Sequence, residues 1–271
     1  MAVSMAATVV VSEAVPVSGA SKEAFKLPEQ ASEVAQGVFF LGTAVIDGVM
    51  VDGYAFSTDQ TVVRGRSANA RPSKPGRGNG GGGGGGGGTQ DPAASCYSFI
   101  SAGAKWRDAK PYVAGADTLG VGTSLAQAFP TWEAAAGGAD FVGAGETTTE
   151  ELVADTVSPD GFNEVYSGAV DDPGVLGYTI VWSTRGRGRN PGEIIEADMV
   201  IDTEWDWGDG TDQFDLDTVV LHEAGHWVGL GHTNTTSDCV GQVMYPYVGN
   251  GEVKTTPGTG DIAGIKALYG S

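Results

Sequence analysis

The chain has 271 residues, of which 41% are hydrophobic and 18% charged, and this composition excludes fibrous and wholly disordered proteins. With 34 acidic against 15 basic side chains the net charge is -19, which argues against nucleic-acid binding because phosphate contacts need lysine and arginine. No apolar run reaches the roughly 18 residues of a membrane-spanning helix, so an integral membrane protein is not expected.

Residues 1–20 have some features of an export signal. Residues 2–11 are mostly small and apolar, and Ser18, Gly19 and Ala20 offer small side chains for cleavage before Ser21. No positive charge precedes the apolar run, so two interpretations stay open: a possible signal peptide, and an N-terminus without that role.

Residues 21–66 contain a small β unit, because apolar runs within 36–63 are separated by the tight-turn pairs at 47–48 and 52–53. About 30 residues in two or three strands cannot bury a core of their own, so this unit must dock on the rest of the chain. Residues 67–95 include nine consecutive glycines and predict a flexible linker, at which we place the domain boundary.

Residues 96–271 have the pattern of one folded α+β domain. Apolar or alternating runs predict strands at 111–113, 163–170, 177–182 and 197–202. Helical periodicity predicts helices at 125–136, 216–228 and 261–269. Asp215 is a suitable N-cap for the second helix, and Pro130 predicts a kink or a late start in the first.

All three histidines of the chain lie in one segment, HEAGHWVGLGH, at positions 222–232. His222 and His226 are four residues apart, so on a helix they project from one face and can bind one metal ion. A left-handed Gly229 would end the helix and let the chain return His232 as a third ligand. Glu223, beside the first ligand, is placed to reach a water molecule on the metal.

Three protein ligands leave the fourth position of Zn²⁺ open, which is the arrangement of catalytic sites. The sequence therefore predicts one catalytic zinc ion. Two alternatives stay open: a zincin-fold zinc-binding protein without protease activity, and a surface module with a structural zinc ion, for which this segment offers no fourth ligand.

The pattern HExxHxxGxxH, followed by a methionine turn in VMYPY at 243–247, resembles the metzincins. The segment 215–270 is similar to the matrixin branch in LHEAGHWVGLGH, QVMYPY and GDIAGIKALYG, and weaker similarity extends upstream to residue 96. The resemblance leaves residues 1–95 unexplained. It implies a zincin catalytic domain, with a mixed twisted sheet, an active-site helix and a small C-terminal subdomain.

The resemblance also implies roles for further residues. Met244 would lie beneath the zinc ion as an apolar floor. The strand before EADMVID would be the sheet edge that pairs with an extended substrate, formed by Gly177, Tyr178, Thr179, Ile180, Val181 and Trp182. Matrixins usually have a tyrosine two residues after the proline of the methionine turn, in the wall of the specificity pocket, whereas here Pro246 is followed by Tyr247 and then Val248. The chain also has no histidine left for a second, structural zinc ion.

The activity that this resemblance implies is that of a secreted zinc metalloendopeptidase. Glu223 would act as the base that assists attack by a zinc-bound water on a peptide bond of a protein or peptide substrate. The sequence indicates neither the substrate nor the oligomeric state.

The two cysteines are Cys96 and Cys239, and in an exported protein they favour a disulfide between the start of the domain and the segment before the methionine turn. Cys96 as a zinc-binding latency switch, or two unrelated thiols, are the alternatives. Acidic segments at 158–164 and 206–217 make Ca²⁺ a further candidate ligand, but neither fits the EF-hand pattern, and solvated acidic loops are the alternative.

Two roles are open for residues 21–66. One is a pro-segment that covers the cleft, adding a strand to the edge at 177–182. The other is a packing unit or spacer remote from the cleft. Zinc ligation by this segment is not expected, because it contains neither cysteine nor histidine.

Overall fold

A mixed β-sheet forms the centre of the protein in the computed structural model, which describes residues 23–60, 91–116, 119–186 and 190–270. The possible signal peptide at 1–20 and the glycine run at 80–88 lie outside these residues. The strands in chain order are β1 (Ser32–Ala35), β2 (Val38–Ile46), β3 (Val49–Gln60), β4 (Ser98–Phe99), β5 (Lys110–Gly115), β6 (Val142–Thr148), β7 (Glu164–Gly168), β8 (Val175–Thr184), β9 (Ile194–Asp202), β10 (Leu230–Gly231) and β11 (Tyr247–Val248). The helices are α1 (Val121–Ala135), α2 (Leu216–Trp227) and α3 (Thr259–Tyr269).

The main sheet has the strand order β1-β2-β3-β8-β9-β7-β5-β6, and the short β11 lies beside the end of β3. Strands β5, β6, β7 and β9 run parallel to one another, whereas β8 is antiparallel to β9. Strands β4 and β10 form a separate pair. The architecture is α+β, as the sequence predicts.

The two faces of the sheet have separate cores because side chains alternate along β8 and β9. One core packs α1 and α2 against the sheet and contains Trp132, Met199 and Trp227. The other contains Tyr178, Ile180 and Trp182, and is covered by the N-terminal residues and by the connection between β6 and β7. No helix of the described residues combines the length and the apolar character needed to cross a membrane.

Helix α1 differs from the sequence prediction. It begins at Val121 and runs through Pro130, with no break between Val121 and Ala135. Leu125, Phe129 and Trp132 are buried on the same side, so packing against α2 outweighs the hydrogen bond that proline cannot donate.

Strand β6 has no prediction from the sequence, because its glycines obscure the alternation of side chains. A Cβ atom at Gly145 would lie 2.3 Å from the ring of Tyr112 on β5, so glycine lets the two strands pack closely.

The N-terminal β unit is part of the main sheet. Strands β1, β2 and β3 are joined by antiparallel pairing, and β3 then pairs antiparallel with β8 from Val51 to Asp59. Strand β8, which the sequence predicts at the edge of the sheet, is therefore an inner strand, and the N-terminal unit extends the sheet beyond it.

Candidate metal and catalytic site

Helix α2 carries the first two candidate ligands and the candidate base. It begins after Asp215, whose carboxylate accepts a hydrogen bond from the backbone N–H of Thr218 at 2.8 Å. From residue 218 to residue 227 every side chain is buried. His222 and His226, four residues apart, lie on the same face of the helix.

A left-handed glycine ends this helix and returns the chain to the site. Gly229 has φ 102°, and a Cβ atom there would lie 2.5 Å from the carbonyl oxygen of Ala104. This turn brings His232 back to the other two histidines. The Nε2 atom of His226 lies 3.0 Å from that of His222 and 3.1 Å from that of His232.

Each imidazole is oriented through its other ring nitrogen. The Nδ1 atoms of His222, His226 and His232 lie 2.6, 2.8 and 3.0 Å from the carbonyl oxygens of Val243, Leu230 and Gln36. Because a carbonyl oxygen only accepts hydrogen bonds, each Nδ1 carries the proton and each Nε2 presents a lone pair.

These residues fit a zinc ion. Burial holds the pKa values of His222 and His226 well below their ordinary value and lowers the pKa of His232 to about 4, so all three imidazoles are neutral. Three converging lone pairs would repel one another without a cation between them. Tetrahedral zinc with Zn–N distances of about 2.0–2.1 Å requires N···N distances of about 3.3 Å, close to those observed.

Glu223 is fully buried beside the histidines, and two threonine hydroxyls donate to its carboxylate. Thr179 on β8 lies 2.6 Å from Oε2, and Thr58 on β3 lies 2.6 Å from Oε1. Burial raises the pKa of Glu223 to about 7, and the two hydroxyls oppose that rise. Sequence reasoning missed Thr58, which is 165 positions away in the chain.

Met244 lies under the helix, with 1% of its surface exposed. A Cβ atom at Gly225 would lie 2.2 Å from Met244 Sδ, so the close approach of the methionine turn to α2 requires glycine. The buried carboxylate of Asp261 on α3 accepts hydrogen bonds from the backbone N–H groups of Val243 and Met244. Asp261 therefore fixes the turn, a role that sequence reasoning also missed.

Cys96 and Cys239, which are 143 positions apart in the chain, form a disulfide with their Cα atoms 5.4 Å apart. Neither thiol is then free to bind zinc, which excludes Cys96 as a latency ligand in this structure. The bond ties the start of the domain to the segment that leads into the methionine turn.

The predicted open edge is wrong for this structure, because the residues Gly177, Tyr178, Thr179, Ile180, Val181 and Trp182 lie inside the sheet. Strand β8 pairs with β9 on one side and with β3 on the other. The backbone groups of β8 that face away from β9 are hydrogen-bonded by β3 of the N-terminal unit. The sequence predicts this pairing only as one of two alternatives for that unit.

Strand β3 also covers the histidines. It lies antiparallel to β8 and parallel to β11 (Tyr247–Val248), and the backbone N–H of Asp59 donates to the carbonyl oxygen of Pro246 at 3.2 Å. The ring of Phe56 stacks on His226 with 4.5 Å between the ring centroids. A cavity of about 460 Å³ opens beside β3, and no histidine lines it.

Comparison with known sequences finds similarity at the C-terminal end of the chain. The family model of the matrixins matches residues 181–270. Matrilysin of Rattus norvegicus is 38% identical over 90 residues, which are 32% of this chain and 32% of matrilysin. Matrix metalloproteinase-20 of Homo sapiens is 38% identical over 84 residues, covering 30% of this chain and 16% of the relative. Metalloendoproteinase 2-MMP of Arabidopsis thaliana is 39% identical over 57 residues, covering 21% and 14%. The chain thus spans about a third or less of the length of these relatives.

Proposed function

We propose that the protein is a zinc-dependent endopeptidase. The match of residues 181–270 to the matrixins, a branch of the metzincins, supports this proposal. The observation that carries this proposal is the convergence of three Nε2 atoms, 3.0 and 3.1 Å apart, beside the buried carboxylate of Glu223. The substrate class is protein or peptide, as the relatives' family implies.

His222, His226 and His232 would hold the zinc ion through Nε2. A zinc ion bound there supplies Lewis-acid polarisation of a substrate carbonyl and lowers the pKa of water towards 7. Glu223 accepts the proton of the attacking water on its carboxylate and delivers it to the leaving amine. Thr179 orients that carboxylate through its bond to Oε2, and the carbonyl oxygens of Val243 and Leu230 fix two of the imidazoles.

The N-terminal β unit, in this proposal, is a covering pro-segment. Three contacts support this role: Thr58 donates to Glu223, Phe56 stacks on His226, and β3 takes the pairing side of β8 that an extended substrate would need. They favour a covering segment over a packing unit remote from the cleft. The full-length chain would then have low activity until β3 leaves.

The protein would act outside the cell. The Cys96–Cys239 disulfide supports this proposal, because disulfides persist in oxidising compartments. The apolar residues 2–11 are consistent with export. Whether residues 1–20 are removed is measured by sequencing the N-terminus of protein recovered from the medium of a secreting host.

The test of the proposed function uses the full chain with a recognition site for a specific protease in place of residues 80–88. Cutting there, followed by release of the N-terminal fragment, is expected to produce zinc-dependent cleavage of an unstructured protein such as casein. The same preparation with Glu223→Ala should retain zinc and lose turnover. If the cut protein binds one zinc ion but cleaves nothing, the zinc-binding alternative without protease activity is correct.

A further inference from the structure

The third candidate ligand, unlike the first two, lies outside helix α2. His222 and His226 are fixed by the helix itself, which ends at Trp227. His232 comes after the end of the helix, so its position depends on the path of the chain through residues 228–231. The contacts that hold this short segment therefore decide whether three imidazoles can meet at one zinc ion.

The carbonyl groups at the end of α2 are hydrogen-bonded by donors that are well separated in the chain. A helix leaves its last carbonyl groups without partners inside it, so they need donors from outside. Each carbonyl oxygen from position 227 to position 230 accepts a hydrogen bond, at 2.9, 2.9, 3.1 and 2.8 Å, from Trp106 Nε1, Tyr269 Oη, the backbone N–H of Ile100 and His226 Nδ1 in that order. Three of these four donors lie outside α2 and fix its end against other parts of the chain.

Tyr269 and Trp106 also bind each other, although they are 163 positions apart. The hydroxyl of Tyr269, the last residue of α3, accepts a hydrogen bond from the backbone N–H of Trp106 at 3.0 Å while it donates to the carbonyl oxygen of Val228. Trp106 has 2% of its surface exposed, and the ring of Tyr269 packs on Phe141 with 4.4 Å between the ring centroids. Trp106 and Tyr269 thus form one clamp on the end of α2.

The segment beside this turn has an unusual backbone. Ser101 has φ 37° and Ala102 has φ 57°, left-handed values that residues other than glycine keep only where the surrounding contacts impose them. The turn that they form lets both Ile100 and Ala104 reach Gly229. The N–H of Ile100 donates to the carbonyl oxygen of Gly229, and a Cβ atom at Gly229 would lie 2.5 Å from the carbonyl oxygen of Ala104. The fold thus accepts strain in order to bring these two segments together.

The clamp belongs to the part of the chain that would remain after the proposed release of the N-terminal unit. In the structure His232 Nδ1 also bonds to the carbonyl oxygen of Gln36, and this contact would be lost with the unit. The bonds from Trp106 and Tyr269 to the end of α2 do not involve residues 23–60. They would therefore continue to direct the chain towards His232 in the uncovered enzyme.

We propose that Trp106 and Tyr269 are positioning residues for His232 as a zinc ligand. They act through the end of α2, by fixing the turn at Gly229 that carries His232 back to the site. The inference rests on the proposed function, because it needs the zinc site to exist. Loss of one clamp bond is expected to loosen His232 and to leave the two helical ligands in place, because their positions follow from the helix.

The experiment uses the fact that the chain has three histidines, so that the imidazole NMR signals are few and can be separated. The sample is the full chain with Glu223→Ala, which prevents self-digestion, with isotope-labelled histidine, one equivalent of zinc and no histidine tag. The signals of His232 are assigned with the variant His232→Gln. Tyr269→Phe then removes the hydroxyl of the clamp and keeps its ring.

In Tyr269→Phe the imidazole signals of His232 should shift or broaden, while those of the other two histidines stay. Zinc should also pass to an excess of chelator about threefold to tenfold faster. This effect is smaller than the loss of about 10–100-fold that follows removal of a direct hydrogen-bond partner of a ligand, because Tyr269 acts through the backbone. Trp106→Phe, which lacks the indole donor, should act in the same direction.

The matched control is Tyr166→Phe, in the core on the other face of the sheet. The hydroxyl of Tyr166 accepts a hydrogen bond from the backbone N–H of Ala154 at 3.4 Å, so this variant also removes one bonded tyrosine hydroxyl. Its histidine signals and its rate of zinc release should equal those of the parent protein.

Two results would overturn the inference. One is a Tyr269→Phe variant whose His232 signals and zinc release are those of the parent protein. The other is an equal shift of all three histidines, which would show a general loosening of the protein. If Trp106→Phe does not fold, Tyr269→Phe decides alone. A parent protein that binds no zinc would contradict the proposed function as well, whereas unchanged variants of a zinc-binding parent contradict this inference alone.

Discussion

Glu223 accepts hydrogen bonds from two threonines, Thr58 and Thr179, that belong to different parts of the chain. Thr179 belongs to β8, which is common to the covered and the uncovered site, whereas Thr58 belongs to the N-terminal unit. Each hydroxyl lies 2.6 Å from one carboxylate oxygen. In the proposed mechanism, removal of the N-terminal unit would free Oε1 for a water molecule and leave Oε2 bonded to Thr179.

Thr58→Val should raise the basal peptidase activity of the full-length chain. The substitution keeps the shape of the side chain but removes the donor to a buried carboxylate, which destabilises the covered state by about 1–2 kcal/mol and increases the uncovered population about fivefold to thirtyfold. The measurement is hydrolysis of a quenched fluorescent peptide before any cleavage of the chain.

The matched control is Thr43→Val, which removes exposed hydrogen bonds to Asp52 of the same unit and to Arg185 after β8, none of which involves Glu223. Its activity should equal that of the parent protein. Equal activity of Thr58→Val and Thr43→Val would contradict the role assigned to Thr58.

Gly225→Ala should destabilise the protein, because the new methyl group would lie 2.2 Å from Met244 Sδ and 2.9 Å from the ring of Trp132. Overpacking of this kind costs about 1–3 kcal/mol. Urea unfolding gives the change in the free energy of unfolding, and Gly241→Ala is the control, since no atom lies within 4 Å of a Cβ there. A loss of the same size in both variants would show that the contact with Met244 is not the cause.

At the scale of elements, β3 is the strand to which we assign the covering role. Its pairing with β8 runs from Val51 to Asp59, and its end pairs with β11 in the segment that contains the methionine turn. One strand thus pairs both with β8 and with the segment of the methionine turn. Its removal would expose one side of β8 to solvent and leave the pairing of β8 with β9 unchanged.

Hydrogen exchange should detect this difference. In the full-length chain the amides of β8 that face β3 are expected to exchange slowly, because they are paired and buried. After cleavage within residues 61–90 and release of the N-terminal fragment, these amides should exchange fast, while the amides that face β9 stay protected. Continued slow exchange on both sides, with the fragment shown to be absent, would argue against β3 as the cover.

The sequence predicts the part of the site that local geometry controls. Four-residue spacing on a helix aligns His222 with His226, and the left-handed Gly229 returns His232, so the ligands follow from one short segment. The contact between Thr58 and Glu223 depends on strand register across the sheet, which no local pattern encodes.

At the scale of the whole molecule, the disulfide joins two distant segments of the chain, one before β4 and one before the methionine turn. Cys96 follows the turn at Pro92–Ser95, where Asp91 accepts a hydrogen bond from Thr259 at the start of α3. Cys239 leads into the methionine turn. The bond therefore restrains the segment before the methionine turn against the segment that follows Pro92–Ser95.

Loss of this disulfide should lower the free energy of unfolding by about 2–5 kcal/mol, because the chain-entropy model gives about 5 kcal/mol for so long a loop. The double variant Cys96→Ser with Cys239→Ser is compared with the parent protein by urea unfolding, with and without a reductant. The reductant should affect only the parent protein. Equal stability of the two proteins without reductant would contradict the expected contribution.

The hydrogen bond from His232 Nδ1 to Gln36 O links the N-terminal unit to the proposed zinc site. Gln36 lies between β1 and β2, so the same segment that hides the zinc site also orients its third ligand. Binding equilibria that share a group are reciprocal: if the docked unit strengthens the hold on zinc, zinc strengthens the docking by the same factor. In that case a chain that binds zinc early would hold its N-terminal unit more tightly. When the unit leaves, the Nδ1–H of His232 would need another acceptor, either water or the bound peptide.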